Sequence, residues 1–165
     1  MKKSWIIIAT VIAIIVGFLM WWFSDTQVLK RRTQELTELF SFEADGSKVT
    51  RINKNRLLGE ILDKDFSCII QLESYRGEHH AGELVEGHIY LGQVCETSSV
   101  DMADFEITSI DDNEATIVAH FSIYLAMKKG GRNYAEESPV TLTWEKSPEG
   151  LWLLNGAKLE SETAP

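Results

Sequence analysis

Cysteine occurs twice in 165 residues and proline three times, and bases are the minority of the charged groups, 16 against 25 acids. Two cysteines exclude a disulfide-stapled scaffold and any site of four thiolates. A net charge of −9 repels phosphate backbones, and no aromatic-and-basic stripe offsets it, so nucleic acid is excluded as a partner. There is no glycine-rich phosphate cradle, no serine on a strand elbow and no His-Glu-x-x-His helix, so no cofactor and no metal are expected. Internal repeats and low-complexity stretches are also missing. The most informative absence is that of charge between residues 5 and 23, "WIIIATVIAIIVGFLMWWF".

Nineteen residues at ~1.5 Å each make roughly 28 Å of helix, close to the ~30 Å hydrocarbon core of a bilayer. Trp5 at one end and Trp21 and Trp22 at the other stand where interfacial aromatics belong. Bulky residues fill the end of the run, where cleavage would need small ones, and no Cys there could be lipidated. The sequence therefore predicts a short basic N-terminus over 1–4, a transmembrane helix over 5–23, an α+β domain over 24–160 and a flexible tail over 161–165. Lys2 and Lys3 precede the run and Lys30, Arg31 and Arg32 follow it, a near balance. A short basic N-terminus ahead of a first apolar run acts as a signal anchor. The expectation is a single pass in the inner membrane, with residues 5–23 in the bilayer and the C-terminal domain periplasmic.

Charge is unevenly spread beyond the run. Residues 24–56 hold seven bases and five acids, and residues 57–165 hold seven and twenty. Lys48, Arg51, Lys54 and Arg56 form a basic group that could meet anionic headgroups or balance the acidic body.

Ser24 with Gln27 offers a helix-capping signal, and Leu29, Thr33, Leu36 and Phe40 then share one helical face to about residue 41. "EADGSK" breaks that helix, a shorter helical piece follows at "KNRLLGEIL", and "FSCIIQLE" alternates as a strand. In "HAGELVEGHIYLGQVCE", Leu84, His88, Leu91 and Cys95 have helical spacing despite three glycines. From residue 100 the period becomes two: "ADFEITSI", "ATIVAHFSIYLAMKK", "ESPVTLTWEK" and "LWLLNGAKLE" are strands joined by "DDNE", "GGRN" and "SPEG". Pro139 places the start of its strand at an edge or a bulge.

Strand parity assigns the faces. Phe66, Cys68, Ile70, Leu72, Phe105, Ile107, Ile117, Phe121, Ile123, Leu142 and Trp144 turn toward the helices, a surface without carboxylate or imidazole. General acid–base chemistry needs such groups within reach of substrate, so the interior reads as a hydrocarbon-filled scaffold.

The order of elements, and above all "ITSIDDNEATIVAHFSIYL" followed by "SPVTLTWEKSPEGLWLLNGAKLE", resembles the nuclear transport factor 2-like superfamily, which includes SnoaL-like proteins. That resemblance implies a cone: helices packed into a strongly bent antiparallel sheet. It also implies isomerases, dehydratases and hydrolases beside many members with no chemistry, so it does not choose a function. By layout the chain is similar to the anchored cone-domain subunits of bacterial secretion channels.

Two readings follow. The first is a membrane-tethered, non-catalytic interaction or accessory domain of the cell envelope, with His120, Ser122 and Tyr124 on the outer sheet face meeting a protein partner or a second copy. The alternative is an enzyme or small-ligand binder whose cone opens near His88, Tyr90 and Asp101. Glu78, His79, His80, Glu83, Glu86 and His88 are numerous donors, but their spacing matches no zinc motif. Cys68 and Cys95 fall on core faces, where they either bridge or stay as unpaired thiols.

Overall fold

The computed structural model describes residues 2–44, 46–72, 75–128 and 130–160. The expected tail over 161–165 and the side chains of residues 2–9, Lys2, Lys3 and Trp5 among them, and of Lys48 lie outside the described residues.

Ten elements follow in order: α1 (Lys2–Trp22), α2 (Asp25–Phe40), α3 (Lys48–Ile61), β1 (Leu62–Gln71), β2 (Arg76–His80), α4 (Ala81–Val94), β3 (Cys95–Ile110), β4 (Glu114–Met127), β5 (Tyr134–Lys146) and β6 (Trp152–Glu160). Helices α2, α3 and α4 cover one face of a single sheet whose strand order is β2-β1-β6-β5-β4-β3. The sheet is mixed and not antiparallel throughout as expected, because β1 runs parallel to β6, with Ser67 opposite Gly156 and Gln71 opposite Glu160. Alternation assigns a side chain to a face but carries no strand direction. A parallel pair needs a long crossover, and the chain between β1 and β6 holds every other strand and α4.

Two strands exceed their predicted extent. Strand β3 begins at Cys95, eight residues before Ala103, because the polar stretch "CETSSVDM" is a ladder partner of β4, with Cys95 opposite Met127 and Val100 opposite Ile123. Its register slips at three places, one of them around Asp104, whose φ of 52° marks a bulge. Bulges bend a strand and increase its twist, which curls the sheet about the helices. The edge strand β2, "RGEHH", was invisible to a search for apolar alternation. Pro139 lies within β5 and not at its start. It faces His120 on β4, and the ladder to β6 begins at the next residue, Val140, so Pro139 stands where β5 is paired on one side only. At the β5–β6 turn the Gly150 N–H donates to the Ser147 carbonyl over 2.8 Å with φ at +81°, a conformation glycine adopts freely.

The core joins Leu29, Leu36 and Leu39 of α2 and Leu58 and Ile61 of α3 to Phe66, Ile117, Leu142, Trp144, Trp152 and Leu154 of the sheet. Burial of each large side chain contributes about 1.5–3 kcal/mol. Two basic residues expected at the surface serve inside this packing. The Lys54 ammonium donates to the Glu38 and Ser41 carbonyls, satisfying the end of α2. The Arg51 guanidinium donates to the Gly92 carbonyl of α4 and the Glu43 carbonyl, and lies 4.9 Å from the Phe42 ring. Of the expected basic group, Arg56 is exposed and ion-paired with Glu60.

Among the described residues no single helix is long and apolar enough to cross a membrane. Thr10–Trp22 and Asp25–Phe40, bent by 54°, reach that length and composition only as a pair. Packing argues against the pair as one span, since α2 buries Leu29, Thr33, Leu36 and Leu39 against the cone. Helix α1 instead leaves Ile14, Phe18, Met20 and Trp21 exposed. The elbow between them is fastened. The Ser24 hydroxyl donates back to the Trp21 carbonyl over 2.7 Å, in place of the expected forward cap. Arg31 donates to the Trp22 carbonyl over 3.0 Å and its guanidinium lies 4.5 Å from the Trp22 ring. Asp25 accepts from the Trp152 indole over 2.8 Å and pairs with Lys146 over 2.9 Å, tying the elbow to the last hairpin.

Candidate functional site

Beside that core the inward faces of five strands and the apolar sides of α2 and α4 stand apart over part of their extent. Between them lies a cavity of about 290 Å³, bounded by Leu36 and Phe40 of α2, Leu84 and Leu91 of α4, and Phe66, Cys68, Ile70, Val100, Met102, Phe121, Ile123, Leu142 and Ala157 of the sheet. The parity assignment is thus correct and the filled interior is not: the surface is hydrocarbon, but it encloses room.

Among the described residues two side chains that carry polar atoms border the cavity, Glu136 and Tyr134, both on β5, and they meet it through carbon, since almost none of its surface is polar. The Tyr134 hydroxyl donates to a Glu136 carboxylate oxygen over 2.9 Å, with Glu136 half-buried and Tyr134 at 37% exposure, so the pair stands at the edge of the space. The sequence held the signal for them. Counting back by twos from Val140 passes through Ser138 to Glu136 and Tyr134, and a strand start at Glu137 hid it. Cys68 is the one thiol in the lining, and burial pushes it up to about 11.

His88, Tyr90 and Asp101 do not converge on this cavity. His88 is 5% exposed and braces three helices. Its Nε2–H donates to the Leu39 carbonyl over 3.0 Å, its Nδ1 meets the Asn55 amide, and its ring stands edge-on to Phe40 at 5.1 Å. Burial lowers its basicity, and the nearby Lys54 charge adds to that against the opposing Leu39 bond, so the ring is neutral near pH 7. The structure sets Asn55 Oδ1 against Nδ1; a neutral ring that gives its one N–H to Leu39 has an acceptor there, so the chemistry requires the Asn55 amide turned over, with its NH₂ toward the ring. Both nitrogens are engaged, and the ring supports Phe40 from behind the cavity wall. Tyr90 is 62% exposed on the outer side of α4. Asp101 lies on β3 beside α2, in a groove with Lys30, Thr33 and Glu38.

The other predicted positions separate in the same way. His120 and Tyr124 are exposed and Ser122 half-exposed on the outer face of β4, where Asn133 donates to the Tyr124 oxygen over 2.9 Å. Cys68 and Cys95 are free and buried, and β6, β5 and β4 lie between their strands. The Cys95 thiol contacts Met127 sulfur at 3.5 Å. Among the described residues no three His, Cys, Asp or Glu groups converge to hold a metal. His79 stacks on Tyr75, Glu78 accepts from Ser67 over 2.8 Å, and Glu83 accepts from the His80 N–H over 3.1 Å at the start of α4.

No family model and no curated protein matches the sequence. Solved structures do match the fold. A conserved protein from Planctomyces limnophilus superposes with a TM-score of 0.66 at 16% identity, covering 82% of this chain and 94% of its own. A nuclear transport factor 2-like protein of unknown function in nutrient uptake from Rhodospirillum rubrum gives 0.61 at 13%, covering 80% and 96%. A hexachlorocyclohexane dehydrochlorinase gives 0.62 at 8%, covering 82% and 84%. The chain therefore has the nuclear transport factor 2-like fold, one that these neighbours use both for catalysis and for roles not known. At such identities the likeness is one of architecture.

Proposed function

We propose that this chain, a domain of the nuclear transport factor 2-like fold, is a membrane-tethered, non-catalytic binder of a small apolar molecule, which it holds inside the cone. One observation carries the reading: the cavity of about 290 Å³ is walled almost wholly by hydrocarbon. Small-molecule sites start near 300 Å³ and are mostly apolar with a few placed polar groups. At ~30 Å³ per water-sized group, the space takes a ligand of about ten heavy atoms. The non-catalytic part rests on the lining, where among the described residues one carboxylate borders the space and is already hydrogen-bonded to a phenol, with no second general acid or base among them opposite it.

The tether rests on α1. Its 21 residues rise about 31 Å, and its described residues from Val11 to Trp22 are all apolar and exposed. The Phe18, Trp21 and Trp22 rings lie 5.8–6.2 Å apart at its C-terminal end, an aromatic cluster of the kind that seats at a membrane interface. An inner-membrane anchor with a periplasmic cone follows from the signal-anchor reading of the N-terminus. The outer face of β4, where Val118 and Tyr124 are exposed, is the surface a protein partner or second copy would cover.

Cys68 supplies the test, since it lines the cavity while Cys95 does not. The full chain in lipid nanodiscs is exposed to methyl methanethiosulfonate, and modification of each thiol is followed by mass spectrometry with and without 1-octanol. Octanol is expected to slow the reaction of Cys68 severalfold and leave Cys95 unchanged, and Ala157→Phe, which fills the space, is expected to abolish the octanol effect. A Cys68 rate indifferent to octanol overturns the reading.

A further inference from the structure

The cavity occupies one end of the cone, and the elbow to α1 occupies the other. We infer that it is a blind pocket, closed toward the proposed anchor and open away from the bilayer, which takes short apolar molecules from water and excludes lipids whose chains stay in the membrane. This rests on the apolar-ligand and tether readings and adds the class of ligand and its route.

Each element that reaches the elbow keeps its near residues out of the lining. Strand β5 runs toward the elbow: Lys146 at its end pairs with Asp25, while the lining residues lie between Tyr134 and Leu142 and stop short of Trp144. Strand β6 runs away from the elbow: Trp152 donates to Asp25, and the lining begins at Leu154. On β4 the cavity meets Phe121 and Ile123, far along the strand from the turn of residues 111–113 that shares a groove with Asp25. Helix α2 contributes Leu36 and Phe40 and withholds Leu29. Between cavity and elbow, Ile117, Trp144 and Trp152 are fully buried, so that end is packed shut.

Exposure along the lining runs the same way. Leu36, Leu142 and Leu154, on the elbow side, are buried. Phe121, Ile123, Glu136 and Leu159 are half-buried, and Tyr134 is exposed. The stretch of β5 from Tyr134 to Trp144 covers ~33 Å at the rise of a strand. The mouth therefore opens at the end of the cone farthest from α1.

This placement selects the ligand. A polar group finds no partner along hydrocarbon walls and stays at the mouth in water, so an alcohol enters tail first. Each buried methylene raises affinity about fourfold until the chain meets the closed end, and a space for about ten heavy atoms is filled by an alcohol near nonanol. Further methylenes project beyond the mouth. There they meet water, because the bilayer lies at the other end, and they add nothing. A membrane lipid is excluded twice, by chains longer than the space and by a bilayer that faces the closed end.

The test measures protection of Cys68 by 1-alkanols from pentanol to dodecanol, in the full chain in nanodiscs of zwitterionic lipid, at measured free aqueous concentrations. The half-protective concentration is expected to fall about fourfold per added carbon up to about nonanol, and then to stay within about twofold as far as dodecanol. Leu142→Ala takes roughly three carbons from the closed end and is expected to extend the fall to about dodecanol. Octanol protection reports that this variant is folded, and if it does not fold the unaltered chain decides alone. A fourfold fall that continues through dodecanol in the unaltered chain overturns this inference, because the tails then reach lipid. So does a levelling point unmoved in folded Leu142→Ala, and both results leave the cavity reading standing. Failure of every alcohol to protect Cys68 overturns the cavity reading itself.

Discussion

His88 illustrates how a residue with every credential of a catalytic base is fixed in another role. Its ring is buried, gives Nε2–H to the Leu39 carbonyl and faces Asn55 from α3, so it links α2, α3 and α4. Replacement by Leu leaves the Leu39 carbonyl and the Asn55 amide without partners, and the expected loss is about 2 kcal/mol. The pH dependence has a definite sign. Burial holds the folded-state value below the ordinary ~6.5, so the unfolded chain binds the proton first as pH falls. The stabilisation is complete above about pH 6.5 and is lost as pH drops toward the folded-state value. Urea titrations should therefore show the gap between wild type and His88→Leu narrowing from pH 7.5 to pH 5, and a gap that widens would contradict a buried neutral ring.

Elements carry what single residues cannot, and the elbow between α1 and α2 depends on one hairpin. Asp25 is opposed by burial, which raises its carboxyl, but the Trp152 indole and the Lys146 ammonium together hold it below the usual carboxylate range. The Lys146 ammonium also lies 4.8 Å from the Trp152 ring, so the three groups act as one unit. Since Asp25 is 41% exposed, solvent screening limits the effect, and Asp25→Ala is expected to cost about 1 kcal/mol. Coupling is the sharper measurement: Asp25→Ala with Lys146→Met should lower the urea midpoint hardly more than either change alone, whereas strict additivity would dissolve the triad. This contact joins positions over 120 residues apart, and nothing in local periodicity announces it. What alternation did announce was the inward set, because apolar character at every second residue is itself the mark of a buried face. The parallel β1–β6 pair, the polar first half of β3 and strand β2 escaped for the converse reason. Their identity rests on which neighbour completes their backbone hydrogen bonds, and that is decided by the other strands. The cavity escaped too, since a face can be apolar whether it touches its opposite or stands away from it, and only the curvature introduced by the β3 bulges separates the cases.

At the scale of the molecule, two parts meet at the elbow with little else in common. The hydrophobic core runs from Val28 to Leu159 and includes none of the described side chains of α1. The cone carries the acid excess, 25 acids against fourteen bases beyond residue 23, and α1 carries exposed hydrocarbon. A cone with its own core should not need the apolar helix to fold, whereas α1 leaves its hydrocarbon exposed, which is what the proposed tether would place in lipid. Removing residues 1–23 is therefore expected to release the remainder into the soluble fraction with its urea midpoint and its octanol-protected Cys68 unchanged. The full chain should stay in the membrane pellet through alkaline extraction. The near balance of Lys2 and Lys3 against Lys30, Arg31 and Arg32 makes orientation the more exacting measurement, and here the elbow contributes. Arg31 is held on the Trp22 ring and carbonyl, so on the proposed topology this charge sits at the elbow beside the helix end, and the two N-terminal lysines decide the orientation. A C-terminal reporter active only outside the cytoplasm should accordingly be active in the full chain and lose activity when Lys2 and Lys3 are both changed to Glu. Activity of a cytoplasm-specific reporter in the unaltered chain would reverse the orientation while leaving the anchor and the cavity intact.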